Sequence, residues 1–131
     1  MKKEEILRTL EKFPYGKSEY WLITGAAMVL FGMREETGDI DLGCTKKMAD
    51  ELEKDGFLYR RTENGKRWFR CSEEIEIFEE WKTGPLVRCE GLQLLSPEGL
   101  IAMKEELGRE KDFRDIALIR EWMSGKENRE E

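Results

Sequence analysis

Two carboxylates alternate with an apolar residue in the segment "DIDLGC", which the sequence predicts to be a β-strand. Asp39 and Asp41 flank Ile40 within it. Because successive side chains of a strand point to opposite faces, both acids lie side by side on one face. Two such carboxylates repel each other unless a cation lies between them, and oxygen ligands favour Mg²⁺ or Mn²⁺ over zinc. The spacing therefore predicts a divalent metal site. The plainer alternative is a turn leading into an edge strand, with both acids solvated.

A third acid lies on a later predicted strand, "EEIEIFEEW", which spans residues 73–81. Its Ile75 and Ile77 point to one face and Glu76 to the other. If this strand lies beside the first, the three acids can hold two metal ions ~4 Å apart, the spacing used for phosphoryl transfer. The alternative is that Glu76 belongs to a solvated acidic face, since four other acids surround it: Glu73, Glu74, Glu79 and Glu80.

A glycine separates a short apolar strand from a predicted helix. Gly25 ends the strand "YWLIT" and opens the helix. The free N–H groups and the dipole at a helix N-terminus attract anions such as phosphate, and glycine lets a ligand approach the backbone closely. Gly25 by itself indicates a simple strand end, and only the acids downstream favour an anion site. An anion site and a cation site joined by one short helix suit a nucleoside triphosphate (NTP) with its metal.

The composition restricts the possible classes of function. The chain of 131 residues has 39% apolar and 40% charged residues, a net charge of −6 and no histidine. The absence of histidine excludes Ser-His and Cys-His nucleophiles and zinc–histidine sites. Cys44, Cys71 and Cys89 are odd in number and far apart, which predicts no disulfide framework and a reducing, cytoplasmic location. No predicted membrane span or signal peptide is present, so we expect no membrane association.

The pattern of elements predicts an α/β (α+β) fold, with a mixed, partly antiparallel sheet of about five strands flanked by helices. We expect one domain over residues 1–124 and a flexible tail over residues 125–131. The predicted helices cover residues 2–12, 26–33, 46–56, 97–108 and 110–123. The predicted strands cover residues 20–24, 39–44, 73–81 and 92–95, together with a hairpin over residues 57–71. Residues 81–87 are predicted to be a loop.

The hairpin is basic, although the protein as a whole is acidic. It carries five cations and three aromatic residues: Arg60, Arg61, Lys66, Arg67 and Arg70, with Tyr59, Trp68 and Phe69. Such a patch can hold RNA or another acidic acceptor, with an aromatic ring for stacking. Alternatively, the charges protect an edge strand from aggregation, a routine use of lysine and arginine.

Two segments resemble a known family. "GAAMVLFGMREETGDIDL" resembles the signature of the nucleotidyltransferase superfamily, whose members share the DNA polymerase beta-type fold. Its residues "FGMREETGDIDL" are similar to those of small prokaryotic members, which in turn resemble nucleotidyltransferase toxins of abortive-infection type. "SPEGLIAMKEELGREKDFRDIALI" resembles the closing segment of those proteins. The resemblance implies a minimal nucleotidyltransferase core and metal-dependent transfer of a nucleoside monophosphate from an NTP to an acceptor hydroxyl, with release of pyrophosphate.

The resemblance also implies roles for single residues. Asp39, Asp41 and Glu76 fall on the metal-binding and catalytic acids. The positions implied to bind nucleotide are Gly25, Ala26, Lys104 and Asp112, with the lysine meeting the phosphates. The family often has serine or a second glycine where this chain has Ala26, and its third acid is usually aspartate rather than glutamate.

Several alternatives remain open at this point. The protein is either an active nucleotidyltransferase or a nucleotide- and metal-binding module with little or no turnover. A third possibility is the toxin of a toxin–antitoxin pair that modifies tRNA. The acceptor is RNA, a protein or a small molecule. Because so small a core leaves one side of the cleft unbuilt, a homodimer or an antitoxin partner would complete it.

Overall fold

Helices and strands alternate along the chain in the computed structural model, which describes the backbone of residues 1–130 and the side chains of residues 1–125. The elements are α1 Lys3–Glu11, β1 Tyr20–Ile23, α2 Thr24–Phe31, β2 Ile40–Cys44, α3 Lys46–Lys54, β3 Tyr59–Arg61, β4 Arg67–Arg70, β5 Ile75–Glu79, β6 Leu86–Cys89, β7 Leu92–Leu95, α4 Pro97–Leu107 and α5 Glu110–Glu130. None of the helices described is both long and apolar enough to cross a membrane.

All strands belong to one sheet, in the order β3-β4-β5-β2-β1-β7-β6. Strand β2 pairs parallel with β5 and antiparallel with β1, and β1 pairs parallel with β7. The remaining neighbours pair antiparallel. The predicted α/β class, with a mixed and partly antiparallel sheet flanked by helices, is confirmed.

The sheet has seven strands rather than about five. The strand that the sequence analysis missed is β6, which begins inside the predicted loop at Leu86. It pairs with β7 through a turn at Glu90 and Gly91, whose φ angles are both positive, 55° and 77°. Turns of this kind favour Asn-Gly or Asp-Gly, so Glu-Gly gave no hairpin signal. A four-residue edge strand directly after Pro85 also gave too short an alternation to recognise.

Helix boundaries follow local capping. The Ser96 hydroxyl accepts a hydrogen bond from the Gly99 N–H at 3.1 Å, and Pro97 occupies the first helical turn of α4. Gly108 ends α4 with a φ of 62°, a conformation in which glycine has no steric cost. These features confirm the predicted start and end. Helix α5 continues to Glu130, past the predicted end at Met123. The prediction of a flexible tail over residues 125–131 stays a prediction, because the side chains after residue 125 lie outside the described part of the chain.

A fully buried row of apolar side chains lies on one face of the sheet, and Trp21 and Ile23 of β1 are buried on the other face. Leu22, Leu42, Ile77 and Phe69 form a cross-strand row over β1, β2, β5 and β4, and all four are fully buried. They belong to one hydrophobic cluster that also includes residues of all five helices. Because side chains alternate, the residues between them point to the other face. That second face carries Asp41, Glu76 and Arg70, whereas Arg67 and Glu79 lie on the same face as Phe69 and Ile77.

Candidate functional site

Asp41 and Glu76 lie directly opposite each other on neighbouring strands. The parallel pairing of β2 and β5 aligns Asp41 with Glu76, and neighbouring strands lie ~4.8 Å apart. Asp39 lies in the turn just before β2 and is exposed, while the next backbone N–H, of Ile40, donates to the Glu74 carbonyl at 2.7 Å. The structure therefore brings two of the predicted acids together on the strands and leaves the third on the adjoining turn.

The environment of Asp41 opposes its negative charge. Burial raises the pKa of Asp41 to about 6, and the charges of Asp39 and Glu76 push the pKa in the same direction. A hydrogen bond from Thr24 and the charge of Lys104 oppose the rise. Asp41 thus carries the like-charge conflict that the sequence predicts. A bound cation would relieve it.

Thr24 is a site residue that the sequence analysis missed. Its hydroxyl donates a hydrogen bond to Oδ2 of Asp41 at 2.8 Å, which fixes one carboxylate oxygen. Its φ is 51°, which is uncommon for any residue with a side chain and a clear outlier for a β-branched one. Strained backbone of this kind concentrates at functional sites. The available signal was the position of Thr24 between a buried strand and Gly25.

Gly25 is required by packing rather than by open space for a ligand. A Cβ built at this position would lie 2.3 Å from Oγ1 of Thr37 and 3.2 Å from Nη1 of Arg34. Both side chains come from the segment between α2 and β2. Gly25 is buried, and Ala26 is fully buried. The strand-to-helix turn predicted to hold phosphate is therefore covered by Thr37 and Arg34 in this structure.

Lys104 lies in a buried network of charges. It is only 4% exposed, and its Nζ lies 2.9 Å from Oδ2 of Asp115 and 3.6 Å from Oδ1 of Asp112. The fully buried Asp112 accepts hydrogen bonds from Nε of Arg109 at 2.6 Å and from the Arg109 backbone N–H at 3.1 Å. Arg34 also pairs with Asp115. The network connects α4 and α5 to the segment after α2.

This network has a surplus of positive charge next to the acids. Its three cations are balanced by only two carboxylates. Lys104 lowers the pKa of Asp41, so its charge acts directly on the acidic cluster. Asp41 in turn raises the pKa of Arg109, although less than Asp112 and Asp115 do. Sequence reasoning reached Lys104 and Asp112 only through the resemblance and missed Arg34 and Arg109.

The acids provide donors that suit a hard cation but no closed coordination shell. Among the residues whose side chains are described, no group of three or more His, Cys, Asp or Glu residues has the geometry of a metal site. Mg²⁺ is usually held by one or two carboxylates together with water and substrate phosphates. Asp41 and Glu76 lie opposite each other, with Asp39 nearby, and their carboxylate oxygens are the kind of donor that Mg²⁺ binds in this way.

Part of the basic hairpin is structural. Arg67 is only 7% exposed, and its Nη2 lies 2.7 Å from Oε2 of Glu79 and 2.8 Å from Oδ1 of Asp50. Its Nη1 lies 3.1 Å from Oε1 of Glu53. Arg67 therefore connects β4, β5 and α3. Arg67 does not contribute to the basic patch predicted on the hairpin, because its charge is paired with Glu79, Asp50 and Glu53.

The aromatic residues of the hairpin also differ in accessibility. Phe69 is fully buried, and Tyr59 packs on it with ring centroids 5.3 Å apart. Trp68 is 37% exposed and points to the opposite face. Of the three rings considered for stacking, Trp68 is the accessible one.

Comparison with known protein families, with curated proteins and with solved structures gives no match to this chain. The functional conclusion therefore rests on the geometry and chemistry of the chain itself.

Proposed function

We propose that the protein is a nucleotidyltransferase, dependent on Mg²⁺ or Mn²⁺, that transfers a nucleoside monophosphate from an NTP to an acceptor hydroxyl and releases pyrophosphate. The observation that carries the proposal is the register of β2 and β5, which sets Asp41 opposite Glu76. The nearby positive charge of Lys104 adds support, because phosphate groups need neutralisation during the reaction.

Each acid has a distinct task in this proposal. Asp39 and Asp41 bind the metal together with the triphosphate, and Thr24 holds the Asp41 carboxylate in position. A divalent ion, when bound, neutralises charge on the phosphates. Glu76 orients the acceptor hydroxyl and accepts its proton. The acceptor oxygen forms a bond to the α-phosphorus while the bond from that phosphorus to the bridging oxygen breaks, and pyrophosphate leaves with the electron pair.

Positioning and charge stabilisation supply most of the acceleration in reactions of this class. Lys104 contributes a fixed cation near the acids, because Asp112 and Asp115 restrain its ammonium group. Arg109 restrains Asp112 in turn. This arrangement provides a positive charge that needs little reorganisation when a triphosphate arrives.

A second candidate is a nucleotide- or metal-binding module without turnover. The observation in its favour is the covered Gly25 turn, because Thr37 and Arg34 pack against the position expected to hold phosphate, while the acids that would hold a metal are not covered in this way. A toxin that modifies tRNA would carry out the reaction of the first proposal, with tRNA as the acceptor. It would require growth arrest on expression that depends on Asp41.

Nucleotide binding and pyrophosphate release, measured together, separate the two candidates. Calorimetric and thermal-shift titrations with each NTP, with and without Mg²⁺, are made on the wild type, Asp41→Asn and the exposed control Glu73→Gln. We expect metal-dependent binding in the wild type and the control, lost in Asp41→Asn, with pyrophosphate released once an acceptor is present. Binding without release from any RNA, protein or small-molecule acceptor favours the inactive module. No binding of any NTP contradicts the nucleotidyltransferase and the nucleotide-binding module, and no binding of Mg²⁺ alone contradicts the metal-binding module.

A further inference from the structure

An open groove lies on the hairpin, on the same sheet face as the acids. Its volume is about 680 Å³, and it is lined by Leu58, Tyr59, Arg60, Trp68 and Arg70. Leu58 is 88% exposed and Trp68 is 37% exposed. The groove thus combines exposed apolar surface with two guanidinium groups.

Trp68 is held as a rigid platform. Its ring stacks on Phe78 with centroids 5.8 Å apart and an angle of 9° between the planes. Phe78 meets Trp81 edge-on, with centroids 5.2 Å apart. The indole is therefore supported from within the sheet, and its remaining surface lines the groove. An aromatic ring fixed in this way can stack on a base at small cost in side-chain entropy.

The two groove arginines differ from the other hairpin cations in having no internal partner. Neither Arg60 nor Arg70 forms an ion pair with a carboxylate among the side chains described, whereas Lys66 pairs with Glu80 at 2.9 Å and Arg67 pairs with Glu79. Arg61 donates to the Gly65 carbonyl at 2.8 Å. In a protein with a net charge of −6, a surface with two unpaired guanidinium groups favours an anionic ligand.

The pairing register relates this groove to the acidic cluster. Arg70 lies opposite Glu76, and Trp68 lies opposite Phe78, two residues further along β5. Two residues of a strand span ~7 Å, and all these positions share one sheet face. A group stacked on Trp68 therefore lies close to Glu76, whose carboxylate accepts the proton of the acceptor hydroxyl in the proposed reaction.

We propose that the groove binds the end of a single-stranded nucleic acid, with a base on Trp68 and flanking phosphates on Arg60 and Arg70. Its terminal hydroxyl then lies toward Glu76. The assignment of that hydroxyl as the acceptor rests on the proposed function, whereas the binding itself does not. A nucleic acid supplies both features that the groove recognises, a flat ring and regularly spaced anions, while an acidic peptide supplies only the second.

The test is fluorescence anisotropy with 5′-labelled octanucleotides of RNA and of DNA, at several salt concentrations, without NTP or Mg²⁺. We expect Trp68→Ala and the double variant Arg60→Ala/Arg70→Ala each to weaken binding about tenfold or more. The double variant also lowers the salt slope by ~1.4, the value for two single-strand phosphate contacts. Trp68→Phe retains a ring and restores most of the affinity, which separates stacking from folding defects.

Arg61→Ala is the matched control, because it removes the same charge from the same strand at a residue outside the groove lining. We expect it to change affinity by less than about twofold. An equal loss in Arg61→Ala, or equal binding of an acidic peptide, overturns the proposal in favour of a nonspecific cationic patch. Absence of binding to RNA and DNA also overturns it. Tight binding of the oligonucleotides by the wild type, without any nucleotide transfer when each NTP and Mg²⁺ are added, contradicts the proposed function and not the groove.

Discussion

Asp41 lies in an environment that is unfavourable for its charge. Its carboxyl group is mostly buried beside two other acids, and its pKa rises to about 6. A raised pKa means that the ionised form is less stable in the folded protein than in the unfolded chain. Near neutral pH, the ionised Asp41 therefore lowers the free energy of unfolding. Such a cost is typical of residues kept for binding or catalysis rather than for stability.

Replacement of Asp41 by asparagine should remove activity and increase stability at once. We expect Asp41→Asn to abolish nucleotide transfer and to raise the free energy of unfolding at pH 7 by roughly 1–3 kcal/mol, since about two pKa units of mismatch are removed. Urea denaturation in EDTA measures the effect. Added Mg²⁺ should raise the stability of the wild type only. A variant less stable than the wild type in EDTA would contradict the electrostatic account.

Gly25 gives a second prediction at the scale of single atoms. The methyl group of Gly25→Ala would lie 2.3 Å from Oγ1 of Thr37, so we expect a loss of about 1–3 kcal/mol in the free energy of unfolding. Thr37→Ala removes the nearest atom and should recover part of this loss in the double variant. The matched control is Gly38→Ala, where an added Cβ meets nothing within 4 Å. Additive losses in Gly25→Ala and Thr37→Ala would show that the two side chains do not touch.

At the scale of elements, local periodicity predicted faces but not neighbours. The alternation in β5 correctly assigned Ile75 and Ile77 to the core and Glu76 to the other face. That β5 would pair with β2, across the intervening helix and hairpin, could not be derived, because parallel pairing is a long-range choice. The sequence therefore indicated the three acids, but it could not predict that the strands of Asp41 and Glu76 are neighbours. Strand β6 was missed for a local reason instead, because it is short and its turn to β7 at Glu90 and Gly91 lacks the usual hairpin residues.

The hairpin shows that its sequence did not reveal which of its charged side chains are buried. Arg67 and Arg70 are both arginines of β4, three residues apart on opposite faces. Composition alone could not show which of them points inward, because the segment 66–70 has charged residues on both faces. The structure gives Arg67 an anchoring role and leaves Arg70 in the groove.

The anchoring role of Arg67 predicts a strong and asymmetric effect on stability. Arg67→Ala leaves the buried Glu79 without its cation, and we expect a loss of about 3–5 kcal/mol in the free energy of unfolding. The double variant Arg67→Met/Glu79→Gln removes the charges together and keeps an acceptor for the backbone N–H of residue 67. It should be clearly more stable than Arg67→Ala alone.

The control for this prediction is Lys66→Ala, which breaks the exposed pair with Glu80. Exposed pairs contribute ~0–1 kcal/mol, so urea denaturation should detect little change. Comparable losses in Lys66→Ala and Arg67→Ala would contradict the distinction between surface and interior pairs.

At the scale of the whole molecule, the site is assembled from distant parts of the chain. Thr24 follows β1, Arg34 follows α2, Lys104 belongs to α4 and Asp115 to α5. The ion pairs of Arg34 and Lys104 with Asp115 depend on how the last two helices pack, which no local pattern in the sequence encodes. The sequence could therefore predict the acids from their spacing and Lys104 from a resemblance. Neither approach could predict that the Thr24 hydroxyl binds Asp41, or that Arg34 and Arg109 pair with the two aspartates next to Lys104.

The same assembly places carboxyl groups with opposite pKa shifts in one fold, which predicts a stability maximum in mildly acidic solution. Arg67 lowers the pKa of Glu79 and Arg109 lowers that of Asp112, so their stabilisation is complete above about pH 4.5 and is lost as the pH falls through their lowered values. Asp41 acts in reverse, because protonation of the folded state between about pH 6 and pH 4 adds stability.

We therefore expect the metal-free wild type to be more stable at pH 5 than at pH 7 and to lose stability steeply below about pH 4. Urea denaturation in EDTA at pH 7, 5 and 3.5 measures both limbs. Asp41→Asn should abolish the gain between pH 7 and pH 5 while keeping the acid limb, whereas Glu79→Gln should weaken the acid limb and keep the gain. A wild type that loses stability steadily from pH 7 to pH 5 would contradict the raised pKa of Asp41. Because Mg²⁺ requires the ionised carboxylate, its addition should move the maximum back toward neutral pH.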